Sequence, residues 1–400
     1  MPRSPDKPPR AALLPFWHRP PLSYTPPVLT SLTDQLGRAQ ALSETQVAAA
    51  VGQLIDERVT PDCKADFLTA LALKGETTAE IAAFTRALRD KSIAPPIDPA
   101  TRQFGEILDV CGTGGDRLNT FNISTTVAIV AAAAGVTVAK HGNRAITSQA
   151  GSADVLEALG IPVELTPEQA ARSLREHGFA FFFAPKYHPA FRHIAPARKL
   201  CAERGQRTIF NFLGPLLNPA RPTAQLVGVP RPQLCEPMAR VLQSLGLRRG
   251  MVVCGEVPNA ALATASNDVS APNAAPNAAP GAGPAHLDEL STLGPNTVAE
   301  FYQDRGFSLS VVSPEDFPLL PAQLSDLAGA DRHANATVIR RLLHGEERGP
   351  KRDAVLLNAA AALFVAARTR TMAEGWDLAA TVLADGRAAR KLAELATAPR

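Results

Sequence analysis

Across the proline-bearing link Ala94 to Pro99 the chain changes its hydrophobic period. Before the link, Leu68, Leu71 and Ala72, then Ile81, Phe84, Ala87 and Leu88, recur at helical spacing. After it, short apolar runs alternate with helical segments, the pattern of an α/β domain built on a mostly parallel central sheet flanked by helices. A small all-helical N-terminal domain, about 30–95, therefore precedes a larger α/β domain over 100–400. The helical part has readable starts. Ser43 with Gln46 and Thr77 with Glu80 are capping boxes, Leu42 and Val47 occupy the staple positions, and Thr60-Pro61 opens a helix that ends near Gly75. Expected strands are Ile107–Cys111, Thr137–Ala139, Phe179–Phe183, Gln225–Val229, Met251–Cys254 and Leu309–Val312. Helices are expected over Thr125–Ala134 and Ser152–Leu159, each closed by a glycine, and from Thr166-Pro167 onward.

The length of 400 residues supports more than one core, since single cores seldom exceed ~250–300 residues. With 41 Lys and Arg against 38 Asp and Glu, the net charge of +3 argues against a dedicated nucleic-acid surface. Five scattered cysteines without C-x-x-C spacing suit a reducing cytoplasm, and no apolar stretch is long enough to cross a bilayer. Residues 1–29 are basic and proline-rich, with the one apolar run cut by Pro15, and are expected to be a disordered tail. A second such segment, 257–285, is built from Ala, Pro, Asn and Gly. It carries too little apolar bulk to offset its ordering entropy and is expected to be a disordered loop. Loop closure costs little more for a long loop than for a short one, so its ends can lie together.

Three clusters bear on chemistry. In CGTGGDRLNTFNIST, residues 111–125, a strand runs into Gly112, Thr113, Gly114 and Gly115 and then a helix, which gathers backbone donors and a helix N-terminus around an anion. The loop is neither G-x-G-x-x-G nor a P-loop. Asp116 in it suits a ligand that also offers hydroxyls, such as a ribose. KHGNRAITSQAGS, residues 140–152, follows the next strand and should face the same crevice, because ligands bind outside the carboxyl ends of parallel strands. His141 there is as readily a neutral, locally satisfied histidine as a proton carrier, and no acid–base role is assigned to it. Asp288 and Glu289, in HLDELS, are an acid pair of the kind that serves a hard cation when phosphates complete its shell. Alone, such a pair is more often a solvated surface.

Taken together, GTGGD (112–116), NTFNIST (119–125), KHGNRAITS (140–148), GSADVLEALG (151–160), RTIFNFLGPLLNPA (207–220) and RDAVLLNAAAAL (352–363) resemble, in order and spacing, the anthranilate phosphoribosyltransferase family. The resemblance runs from about Thr30 to the C-terminus. It implies a homodimer, helices from about 190–215 added to the N-terminal domain, and a tryptophan-biosynthesis reaction in which anthranilate displaces pyrophosphate from 5-phosphoribosyl 1-pyrophosphate (PRPP). It further implies PRPP contacts at Gly112, Gly115, Asp116, Thr120, Asn122, Ile123, Ser124, Thr125, Lys140, His141, Gly142, Asn143, Arg144, Ala145, Ile146, Thr147, Ser148 and Ser152. The implied anthranilate contacts are Gly112, Asn143 and Arg198, and the implied Mg²⁺ ligands Ser124, Asp288 and Glu289. No nucleophile or base is implied.

Three departures bear on these residues, the first being the 29-residue segment 257–285, which falls outside the resemblance and separates Asp288 and Glu289 from the preceding strand. The connection KLCAERGQ after Arg198 looks longer than is usual, which leaves the helical phase of Arg198 to be established, and Arg117 stands where a small residue is common. Two other readings share the architecture. A pyrimidine nucleoside phosphorylase would carry a lysine-serine signature that is absent here, and a nucleic-acid-binding paralogue would not need the full phosphate, metal and anthranilate set. Neither nucleic acid nor a membrane is expected as a partner.

Overall fold

The computed structural model describes residues 28–103, 105–145, 149–262, 283–303 and 306–398. The expectations for the proline-rich start before Val28 and for residues 263–282 lie outside these segments.

Four helices open the chain, Val28–Gly37, Glu44–Ile55, Pro61–Lys74 and Thr78–Arg89. The first takes in the end of the expected tail. Both capping boxes form, and Thr60 caps its helix through the Cys63 N–H. The second box does more than cap. Buried Glu80 accepts from the Leu42 N–H at 2.9 Å and from Lys74 Nζ at 2.7 Å, tying its own helix to the preceding one and to the link before Glu44. Leu29, Val47, Phe67 and Phe84 fill the space between the helices, joined by Ala197 and Cys201 of the helix Ala195–Glu203. The same apolar cluster continues onto the sheet through Val227, Val252 and Phe301.

The sheet comprises β1 (Ile107–Gly112), β2 (Thr137–Gly142), β3 (Phe179–Phe183), β4 (Ala224–Gly228), β5 (Arg249–Val257), β6 (Ala285–Leu287), β7 (Asn296–Tyr302) and β8 (Gly306–Val312). Its order is β3-β2-β1-β4-β5-β7-β8, with β6 pairing β5. The first five strands are mutually parallel, with Val110 opposite Leu226 and Lys140 opposite Phe181, and are covered on both faces, which is why they read as continuous apolar runs. The rest pair antiparallel. β6 and β7 are absent from the expected strands. β6 has three residues and exists only through its pairing with β5. In β7, buried Asn296 and mid-strand Glu300 interrupt the apolar signal.

β5 runs three residues past its expected end at Cys254, because Val257 pairs with Ala285. That pairing brings the two ends of the Ala/Pro/Asn stretch side by side. Among the described residues no helix is long and apolar enough to cross a membrane.

The parallel strands β1, β2 and β4 finish at one edge of the sheet in Gly112, Gly142 and Gly228. The segment after β6 is laid across that edge and clamped from behind. Buried Asn358, in the helix Pro350–Val365, accepts from the Leu290 N–H and donates to the Leu290 carbonyl, both at 2.9 Å. Replacing Asn358 by Ala orphans both backbone groups in the core and is expected to lower the unfolding free energy by about 2–4 kcal/mol. Urea denaturation checks this, and a change below about 0.5 kcal/mol would contradict the clamp.

Candidate active site

β1 delivers its glycine loop to this edge. Gly114 takes a left-handed φ of 72°, as do Arg117 at 60° and Asn119 at 51°, so the loop holds strain of the kind that collects at functional sites. The carboxylate of Asp288 sits in the loop. Gly114 N–H donates to its Oδ2 at 2.5 Å, and Gly115 N–H and Thr113 Oγ1 at 3.3 Å. The anion position inferred from the glycines thus holds a side chain of the protein itself. It fits because Gly112 has no Cβ, which would lie 2.8 Å from Oδ2.

Glu289 turns to the start of the helix Ile123–Ala133, where the Ser124 N–H and hydroxyl meet its carboxylate. The distant acid pair and Ser124 therefore converge, although far from the solvated surface usual for an Asp-Glu dipeptide. Both acids are buried. Burial, followed by the charges of Asp116 and Glu289, pushes Asp288 well above the ordinary carboxylate range. Burial pushes Glu289 up to about 8, against the pull of Lys140. Lys140, buried itself, donates to the Val110 carbonyl at 2.6 Å and to Ser124 Oγ at 3.3 Å. Asp116 holds the loop, accepting from the Leu118 N–H at 3.1 Å and from the Asp288 N–H at 3.4 Å.

Among the described residues no three His, Cys, Asp or Glu side chains stand ready as a metal cage. The oxygen donors Ser124, Asp288 and Glu289 nonetheless fit a hard cation that takes one or two carboxylates and completes its shell with phosphate and water. A divalent charge would also relieve the repulsion that raises both acids.

On the other side of Gly112 opens a cleft of about 670 Å³, between the ends of β1 and β2 and the helical segment 184–217. Gly112, Asn143 and Arg198 all line it. The helix bearing Arg198 ends in Glu203, and Gly205 at φ 69° turns the longer connection away, so the guanidinium faces the cleft 5.3 Å from the Phe210 ring centroid. His141 lies on the floor, edge-on to His188 with ring centroids 5.4 Å apart. Burial and the neighbouring His188 push His141 down to about 3, and burial pushes His188 down to about 4, so both are neutral. The locally satisfied alternative for His141 is incomplete, since its Nε2 is shielded and has no partner.

The other residues of the two loops have different surroundings. Thr120 bridges to Ala328, and Asn122 donates to the Ala150 carbonyl and accepts from Asn335 Nδ2. Ile123 and Thr125 are buried in the helix that Asn122 precedes. Gly142 faces Ser152, whose Oγ lies 2.2 Å from where a Cβ would be, and Ser152 Oγ donates to the Asn143 carbonyl. Ala145 N–H is taken by Asp154. Arg144 pairs with Asp154 and Glu157 of the helix Ser152–Ala158, at 3.4 and 2.6 Å, and with Glu164 at 3.2 Å. Ile146, Thr147 and Ser148 lie outside the described residues.

Two residues went unnoticed in the sequence, His188 and Asp109. The second had a signal, an acid in the middle of the apolar strand ILDVCG. Asp109 is fully buried and accepts from Asn218 Nδ2 at 2.9 Å and from Gln225 Nε2 and the His141 N–H at 3.3 Å. Burial outweighs these donors and pushes it up to about 6. Between the ordinary value of about 4 and 6 the native state holds a proton that the unfolded chain has released. This stabilisation is present below pH ~4 and lost as pH rises through 6. The excess stability of the wild type over Asp109→Asn is therefore expected to fall by about 3 kcal/mol from pH 4 to pH 7. Urea unfolding across that range checks it, and a pH-independent difference would contradict the raised value.

Both parts of the chain match known proteins. Residues 29–92 match the helical bundle domain of the glycosyl transferase family, and residues 104–276 and 277–389 match its a/b domain. The anthranilate phosphoribosyltransferase of Roseiflexus castenholzii is 44% identical over 91% of this chain and 96% of its own length, and that of Symbiobacterium thermophilum 43% identical over the same shares. Among solved structures, the Thermus thermophilus anthranilate phosphoribosyltransferase superposes with a TM-score of 0.76 at 40% identity, covering 91% of this chain and 98% of that one. The Saccharomyces cerevisiae enzyme in complex with PRPP and Mg gives 0.74 at 26% identity, covering 92% and 96%. With both domains matched in order and near-complete coverage on each side, this chain belongs to the anthranilate phosphoribosyltransferase family.

Proposed function

We infer that this chain transfers the phosphoribosyl group of PRPP to the amine of anthranilate, giving N-(5-phosphoribosyl)anthranilate and pyrophosphate in tryptophan biosynthesis. The observation that carries the reading is the position of Gly112, which touches the Asp288 carboxylate and also lines the Arg198 cleft. A ligand spanning Gly112 would have its pyrophosphate on the glycine loop and its acceptor in the cleft.

In this reaction the anthranilate nitrogen forms a bond to C1 of the ribose, the C1–O bond breaks, its electron pair leaves with pyrophosphate, and the nitrogen gives up a proton. Positive charge builds on the ribose and negative charge on the leaving group, so the protein's task is electrostatic. The loop N–H groups and the buried Lys140 ammonium supply positive potential where pyrophosphate departs. Ser124, Asp288 and Glu289 would hold Mg²⁺, which when bound neutralises leaving-group charge. Arg198 pairs with the anthranilate carboxylate and directs the amine toward C1, while Phe191, Phe210 and Pro185 give the ring an apolar wall. The neutral His141 and His188 leave the carboxylate to Arg198. Burial raises the Cys111 thiol well above the ordinary range, which disfavours the thiolate, and the displacement requires no covalent nucleophile.

Two finer features belong to the same reading. Homodimer formation through the helical domain is supported by Leu73 and Val28, which are exposed there at 75% and 42%. A cytoplasmic location is supported by five free cysteines.

Loss of anthranilate fluorescence in the presence of PRPP and Mg²⁺ tests the activity, and a folded chain that consumes none would overturn it. Arg198→Ala is expected to raise the KM for anthranilate about 10- to 100-fold, the scale of one lost charge-assisted pair, and that for PRPP less than about threefold. Equal losses for both substrates would count against the carboxylate clamp.

A further inference from the structure

We propose that the Asp288 carboxylate is an internal occupant of the pyrophosphate cradle, one that a divalent cation must draw away before the leaving group can settle on the glycine loop. This rests on the PRPP reading above and adds a gate to it. The loop is a concavity of successive backbone N–H groups, a ready anion site. Its donors are already committed, with Gly114 and Gly115 N–H and Thr113 Oγ1 all pointing at the one oxygen, Oδ2. A phosphate oxygen on the same donors would have to displace it.

The backbone of this residue is held on both sides. A Cβ on Gly228 would fall 1.5 Å from the Asp288 carbonyl oxygen, so the chain lies directly on the end of β4. On one side Leu287 is paired with Gly255, and on the other Leu290 is held by Asn358. Only the side chain is free to leave, by rotating toward its neighbour Glu289 and the Ser124 hydroxyl, which are the other proposed cation ligands. Cation and carboxylate are thereby linked. With no divalent ion the cradle is filled by the protein's own carboxyl oxygen; with one, the carboxylate has a better partner and the donors are released. Metal-free substrate would meet a closed cradle, and pyrophosphate would be admitted together with its cation.

Glu289 provides the control, because it belongs to the same acid cluster but its carboxylate rests on Ser124 and not on the loop. Inorganic pyrophosphate is titrated calorimetrically into the full-length chain in EDTA. Asp288→Ala is expected to bind it at least about tenfold more tightly than wild type, and Glu289→Ala within about threefold of wild type, since both variants remove one acid of the same cluster but only the first empties the cradle. Asp288→Asn, which keeps a neutral and weaker acceptor, is expected to fall between and serves if the alanine variant does not fold. Equal gains in the Asp288 and Glu289 variants, or no gain at Asp288, overturn the proposal. Anthranilate consumption by the wild type is read separately. An inactive chain that still shows the gain keeps the occupied cradle and loses the substrate assignment, whereas an active chain without the gain loses the gate alone.

Discussion

The backbone of Asp288 rests on the Cα of Gly228, and the site depends on that contact. Any side chain at the end of β4 would overlap the Asp288 carbonyl, with a Cβ 1.5 Å from its oxygen. The same need for bare backbone recurs around it. Gly112 makes room for the Asp288 carboxylate, and at Gly255 a Cβ would lie 2.5 Å from Ser291. Glycine at these strand ends lets a segment from the far side of the sheet lie close enough for a side-chain oxygen to reach the β1 loop. The β5–β6 pairing and the Asn358 clamp then fix its height and direction.

Close approach has an electrostatic consequence. Asp288 and Glu289 are drawn out of water beside Asp116, and their raised proton affinities express the mutual repulsion and lost hydration. The buried Lys140 offsets part of this, anchored by the Val110 carbonyl beside Ser124 and within reach of the Glu289 charge. An apolar core would be more stable in the same volume. Poised acids beside a donor-rich loop are suited instead to a ligand that arrives as an anion with its cation, which is the chemical character of a metal-bound pyrophosphate.

What the sequence displayed and what it concealed divide along contact distance. Capping boxes at Ser43 and Thr77 and the apolar runs of β1, β2 and β3 are local, and they form as the spacing implies. β6 is three residues held by a partner strand some thirty positions away, with no periodicity of its own. The glycine run revealed an anion cradle, but nothing local to GTGGD says that residue 288 fills it. Likewise nothing in KHGNR shows that Arg144 is paired with acids on the next helix and beyond, at Glu157 and Glu164. Asp109 was visible as an acid in an apolar strand, but the Asn218 and Gln225 donors that make its burial tolerable are more than a hundred residues away.

The central claim is that a Cβ-free strand end lets the 288–289 segment complete the site. Calorimetric binding of PRPP in the presence of Mg²⁺ to Gly228→Ala, whose helical content is followed by circular dichroism, tests it most directly. An added methyl displaces the Asp288 backbone, and affinity is expected to fall by at least about tenfold, beyond about 1.4 kcal/mol, while the helical signal is retained. Wild-type affinity in Gly228→Ala would contradict the account.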